Sequence, residues 1–418
     1  MVSEGDLLNQ IEFLSLASIA LFHFSSAWRR LRMVKGLWLT ALVLYVFWAA
    51  FTVSWSIDPF LSARRLALFA VELVAWVGIG AGYYGGEHGP VRLCRDLRQA
   101  CLVLIVLALP VIGPEMTPSN LLNPYWESVI RLTTNDVIEG SVFGLLACLA
   151  PAIYRRSFNA AKLRIFVPPA VFILLFLLIT KGRSAIAMTL LVLGFTATRL
   201  VRNVSARLGS RFVLALMLIL VVTNFSTSAL EGTAIGEYLA RGNNTKTLEG
   251  LNGRTQLWEY ILSDINLRPL QGYGFGAYWT AERMDLVWSR FRWHAPLAHN
   301  GYLDETIQTG LIGMGLMLLF LAAVLAKIHK LSRRYPAATI GLSWIALFLL
   351  LNLTDSYFQN FRRLAVVSTM LMSFSCLGVS EIQSRRNTEP IRPENEGYDE
   401  MPPQNPESIP NRPSRSYA

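Results

Sequence analysis

The chain has 418 residues, of which 53% are hydrophobic and only 16% charged. A soluble domain would carry about 25% charged residues, so this composition excludes an ordinary soluble fold. The formal charge of +10 does not point to nucleic acid, because basic loops beside membrane spans give the same excess.

The apolar residues fall in blocks long enough to cross the ~30 Å hydrocarbon core as helices. The blocks predict about eleven spans, at 8–24, 37–55, 66–84, 97–113, 137–154, 164–180, 184–200, 211–227, 303–326, 337–353 and 363–380. The start, "MVSEGDLLNQIEF", is acidic where a cleavable signal would be basic. Lysine and arginine gather in "SSAWRRLRMVKG", "EHGPVRLCRDLR", "YRRSFNAAKLR", "RLVRNVSARLGSR" and "KIHKLSRRYP". These alternate with the other connectors and are placed in the cytoplasm by the positive-inside rule. The N-terminus and the long loop 228–302 then face outward. The chain divides into N-terminal spans (1–227), a large outer loop (228–302), C-terminal spans (303–380) and a polar, proline-rich tail (381–418). The tail has too little apolar surface to fold and is expected to be disordered and cytoplasmic. Of four cysteines, Cys101, Cys148 and Cys376 lie in spans and Cys94 in a basic loop. Neither a disulfide framework nor a metal-ligand spacing is present.

Positive charge on the outer side runs against the topology rule and asks for a reason. Lys181 and Arg183 sit in the short turn "TKGRSA", Arg64 and Arg65 in "SWSIDPFLSARRL", and Arg131 in "NPYWESVIRLTTND". Arg362 and Arg363 sit in "TDSYFQNFRRL", and the long loop carries Arg254, Arg268, Arg283, Arg290 and Arg292. Each alone can snorkel to lipid phosphates. Together they offer planar, permanently charged forks that match the oxygens of a polyanionic headgroup such as a lipid-linked pyrophosphate.

Residues 252–263, "NGRTQLWEYILS", predict a short amphipathic helix with Asn252 as cap and Leu257, Tyr260 and Ile261 on one face. Arg254 in its first turn opposes the helix dipole unless an anion docks there. "GYGFGAYW" (272–279) reads as a tight surface turn that uses glycine's freedom of backbone. In "HAPLAHNGYLDETIQTGLIG", His299 and Asn300 precede the ninth span, with Gly310 and Gly313 on nearly one face for helix packing. An outward imidazole can take a proton from a hydroxyl near neutral pH, which makes His299 the candidate base and His294 its rival. His23, His88 and His329 lie in spans or on the other side.

Four stretches in order carry a family resemblance: "VSWSIDPFLSARRL", "TKGRSAIAMTLLVLG", "GRTQLWEYILSDINLRPLQGYGFGAYW" and "HNGYLDETIQTGLIG". They resemble the O-antigen ligase / Wzy-type polymerase family of bacterial envelope proteins over roughly residues 40–380. The resemblance implies an all-α polytopic membrane protein, a bundle of about 11–12 transmembrane helices with a large periplasmic loop containing short helices, of the GT-C-like glycosyltransferase kind. It implies transfer of a glycan from an undecaprenyl-pyrophosphate carrier to a glycan or lipid A-core hydroxyl, at the periplasmic face of the bacterial inner membrane. Inversion, no cofactor and no metal are expected. Carried over, Arg183 and Arg254 match pyrophosphate-contacting arginines and His299 the base. From their place on the expected outer side, Lys181, Arg64, Arg65, Arg131, Asn300 and Arg292 are expected to help bind substrate. "WSIDP" favours a polymerase over a ligase. The alternative from another class is a transporter or flippase of lipid-linked oligosaccharide, which should show charges at mid-membrane and interrupted helices.

Overall fold

The computed structural model describes residues 36–86, 88–112, 137–148, 160–179, 188–192, 254–291, 296–361 and 363–388, with a few positions between 14 and 25. Among them every regular element is a helix. Helix α1 (Leu37–Thr52) continues as a 3-10 turn to Trp55. Helix α2 (Pro59–Val77) passes into a π-helical turn, Gly78–Tyr83. Then come α3 (Gly89–Ile112), α4 (Val137–Cys148) and α5 (Ala160–Ile179). The loop helices are α6 (Arg254–Leu267) and α7 (Ala281–Phe291). The chain closes with α8 (Gly301–Ser332), α9 (Thr339–Leu351) and α10 (Leu364–Thr388). Three of these, Leu37–Trp55, Pro59–Tyr83 and Gly301–Ser332, are long and apolar enough to cross a membrane. The apolar blocks expected at 8–24, 184–200 and 211–227 lie wholly or largely outside the described residues.

Several expectations need correction. Helix α2 begins seven residues before the apolar block suggested, because Asp58 caps it and Pro59 supplies its first φ. The Asp58 carboxylate accepts from the Leu61 N–H at 2.9 Å. Arg64 and Arg65 are therefore helical, not connector, residues. Cys94, expected in a loop, is buried inside α3. Helix α10 runs on to Thr388, eight residues into the segment read as a disordered tail, and ends just before Pro390.

The main core is apolar, and α8 packs most extensively along α1. Gly313 meets Trp48 there, where an added Cβ would lie 3.1 Å from the indole. A second, smaller core joins the loop to the bundle: Leu257, Ile261, Ile265, Tyr278, Val287 and Ile307. The two are riveted by Phe275, which is fully buried and stacks on Phe361 at 5.7 Å, while Phe361 lies 4.3 Å from Phe69 of α2. The turn 272–279 is thus buried, not a surface turn. Its glycines do take positive φ, but to press the backbone against α8: Tyr273 N–H donates to Ile307 O and Gly274 N–H to Gln308 O.

Those two carbonyls are available because α8 breaks at Gly310, with φ 72° and ψ 179°. Gly310 is therefore a hinge in the chain path and not a packing glycine of a continuous helix. A Cβ there would sit 2.0 Å from the Leu270 carbonyl oxygen. The region is essentially restricted to glycine, so Gly310→Ala is expected to destabilise the protein by about 2 kcal/mol or more. Gly315, with open space around its Cβ position, should accept alanine and gain a little helix stability. Thermal unfolding of the two variants in detergent checks the contrast.

Candidate active site

The site is built on the N-terminus of α8 and the connector 352–363 between α9 and α10. Asn300 is the N-cap of α8; its Oδ1 accepts from Tyr302 N–H at 3.0 Å and Leu303 N–H at 3.2 Å. Gly301 follows because nothing larger fits: a Cβ would lie 1.9 Å from Asn352 Oδ1. The Gly301 N–H donates to Asn352 O at 2.8 Å and Asp355 O at 3.0 Å. Asn352 in turn accepts from the N–H groups of Tyr357 and Phe358, folding the connector around the helix start.

This clasp holds His299 at φ 49°, the single described non-glycine residue with positive φ. Its Nδ1 lies 3.5 Å from Asp355 Oδ1, and both side chains are about a quarter exposed, 25% and 26%. A carboxylate beside Nδ1 favours the tautomer protonated there and leaves Nε2 to act as the base. Arg254 arrives from the loop. Its Nη1 donates to Thr354 O at 2.8 Å, one residue from the partner of His299. The structure therefore brings Arg254 and His299 onto adjacent residues of one connector.

Asp355 was not among the residues picked from sequence. Behind it stands Arg363, whose Nη1 lies 3.5 Å from Asp355 Oδ2 and is ion-paired with the buried Glu139 of α4. Burial alone would raise the Asp355 carboxyl. The hydrogen bond from His299 and the charge of Arg363 outweigh it and hold the group below its usual value.

The first turns of α8 are polar yet buried. Trp279 Nε1 donates to Asp304 Oδ1 at 2.6 Å. Glu305 accepts from Tyr45 at 3.0 Å, from Thr309 at 2.7 Å and from Gln359. Trp258 Nε1 donates to Ala298 O at 2.8 Å, which ties α6 to the residue before His299. Such bonding offsets the cost of burying these carboxylates.

The other expected residues fare differently. Lys181, Arg183, Arg131, Arg292 and His294 lie outside the described residues. Arg65 donates to Gly276 O and so holds the buried turn, and Arg64 is exposed on α2. Arg290 stacks on Tyr260 and Phe291, 5.5 Å from each ring. Arg283 pairs with Asp264 at 2.6 Å. A single sequence offered one signal for Asp355: an acidic residue in a connector expected to lie on the same side as His299, where a base needs an orienting partner.

Fold and site define a helical membrane protein whose polar groups gather where a loop core meets the end of its spans. Residues 168–318 match the family model described as O-Antigen ligase, Wzy_C. That segment includes Arg183, Arg254 and His299. A 91-residue stretch is 36% identical to the exopolysaccharide production protein ExoQ of Rhizobium meliloti (strain 1021), covering 20% of this chain and 20% of that one. The match thus spans a fifth of the relative's length. Both findings support the O-antigen ligase and polymerase family that the four motifs resemble.

A group with a folded pKa below its unfolded one contributes stability above the unfolded value and loses it as pH falls through the folded value. Acidification below about pH 4, the ordinary aspartate range, should therefore lower the melting temperature of the wild type. Asp355→Asn should be less stable at neutral pH and show a flatter acid limb. Melting curves between neutral and acidic pH measure both.

Proposed function

We propose that the chain is a metal-independent, inverting glycosyltransferase that moves a glycan from an undecaprenyl-pyrophosphate carrier to an acceptor hydroxyl at the periplasmic face of the inner membrane. The juxtaposition that carries this reading is Arg254 and His299 on neighbouring residues of the 352–363 connector. A polymerase of exopolysaccharide or O-antigen repeats is favoured over a ligase to lipid A-core, in line with the "WSIDP" stretch and with the similarity to ExoQ, an exopolysaccharide production protein.

In the proposed step the acceptor oxygen attacks the anomeric carbon from the face opposite the pyrophosphate. The new sugar–oxygen bond forms as the old one breaks, and its electron pair leaves with the pyrophosphate. The acceptor's proton passes to His299 Nε2. Asp355 steadies the imidazolium that results, as a carboxylate behind Nδ1 does in hydrolase triads. Arg254 keeps one N–H on Thr354 O and turns others of its five-donor fork toward the departing phosphates. Arg183 is assigned the same task from the turn between the sixth and seventh expected spans. Fixed guanidinium groups at a membrane surface need no reorganisation as charge develops, which supplies what a divalent ion supplies elsewhere. Lys181, Arg131 and Arg292 are proposed to line the donor's path, and Arg64 and Arg65 to hold its entrance.

The transporter reading draws on one observation: Glu72 is buried within α2, thirteen residues from its start. The break in α8 counts against it, because it lies beside the loop core and not at mid-span. His299→Ala is expected to lower transfer by about 10²–10⁴-fold at normal protein level. Arg183→Ala and Arg254→Ala should each lower it by about 10²–10³-fold. Glycan profiling of a deletion strain complemented with each variant checks this; wild-type profiles would leave His299 a helix-capping neighbour and the arginines mere anchors. Loss of long polymer identifies a polymerase, and core without attached chains a ligase.

A further inference from the structure

Two spans measure where the lipid boundary lies. Counting back along α8 from Lys327, where the basic connector begins, about 20 residues at ~1.5 Å each make one hydrocarbon thickness and end near Ile307, one turn before Leu311. No residue from 301 to 310 is exposed, and Leu311 is the first that is, at 53%. The change from buried-polar to exposed-apolar thus falls within about one helical turn of the level that the length picks out. The second ruler is Leu37–Trp55, whose 19 residues span about 28 Å. Its site-side end carries Trp48 and Trp55, the residue type that marks a membrane–water boundary.

One loop turn is fastened to both rulers at that level. Pro269 O accepts from the Leu311 N–H at 2.8 Å, and the Leu270 carbonyl fills the space a side chain at Gly310 would need. Trp55 Nε1 donates to Gln271 O at 3.2 Å. Yet this turn, at the end of α6, carries two bare leucines: Leu267 is 74% exposed and Leu270 56%. Between them Arg268 lies over the Tyr273 ring at 4.8 Å. Exposed leucines flanking an arginine, pinned at the depth where lipid-facing side chains begin, suit a bilayer edge better than water.

We propose that the Leu267–Leu270 turn is inserted in the bilayer edge, with both leucines among acyl chains and Arg268 at the lipid phosphates. The segment read as an aqueous loop then touches lipid. Helix α6, whose first residue is Arg254, is anchored by its other end to the surface. The inference needs only that α1 and α8 cross a bilayer; it does not depend on the transferase reading.

The test uses the full chain in nanodiscs of phosphatidylethanolamine and phosphatidylglycerol. The four native cysteines are all buried, so single cysteines at Leu267, Leu270 or the exposed Glu259 of α6 can be labelled selectively with a nitrobenzoxadiazole dye. Emission from L267C and L270C should be blue-shifted relative to E259C, quenched by phospholipids carrying a nitroxide high on the acyl chain, and shielded from iodide. Water-like emission at both leucine sites, quenched by iodide and not by nitroxide lipid, overturns the proposal and would suit a protein partner that the nanodisc lacks. A photoactivatable phospholipid on the unlabelled chain gives an independent reading. Crosslinks mapped to 267–271 support insertion; crosslinks confined to the spans contradict it.

Discussion

The site depends on how the start of α8 is seized. A helix N-terminus presents four backbone N–H groups without helical partners. Here the Asn300 side chain takes two of them, and the connector after α9 takes the Gly301 N–H with two carbonyls. The connector can come so close only because residue 301 has no side chain. The same closeness turns His299 into a left-handed conformation and sets its ring beside Asp355. Such strain costs about 1–3 kcal/mol and persists where the surroundings over-determine it. Two tryptophans help to do so: Trp258 grips the carbonyl of Ala298, and Trp279 grips Asp304.

Charge placement follows from that frame. Four carboxylates, Glu72, Glu139, Asp304 and Glu305, are buried in helices of the bundle. A buried charge costs several kcal/mol unless it is paired or fully bonded. Glu139 is paired with Arg363, which also faces Asp355, so the charge beside the imidazole is set from the far side of the connector. Glu305 gathers Tyr45 from α1 and Gln359 from the connector, so one carboxylate binds three segments at the base of the site. Removing one hydrogen-bond donor from such a buried group typically costs about 1–3 kcal/mol.

Much of the helical frame was legible in sequence, because hydrophobic blocks of span length have one economical fold in lipid. The 37–55 block matches α1 with its 3-10 turn. The amphipathic stretch after Arg254 forms α6, with Leu257 and Ile261 buried. The start of α2 is also legible in "DP", a cap and first-turn signal that lies outside the apolar block. What could not be read were contacts between distant segments. Phe275 against Phe361, Tyr45 against Glu305 and His299 against Asp355 join residues with no local pattern between them. The glycines of "GYGFG" show the limit. Their backbone freedom was evident, but burial against a broken helix was not, since Gly310 lies in a run that reads as continuous helix.

The central claim is that His299 and Asp355 work as one unit. The most direct test is a double-mutant cycle on the transfer rate of the protein in proteoliposomes, with His299→Gln, Asp355→Asn and the pair. Residues that act together lose their effect once, so the double variant should be no slower than His299→Gln alone. Losses that multiply would show two independent roles and contradict the account.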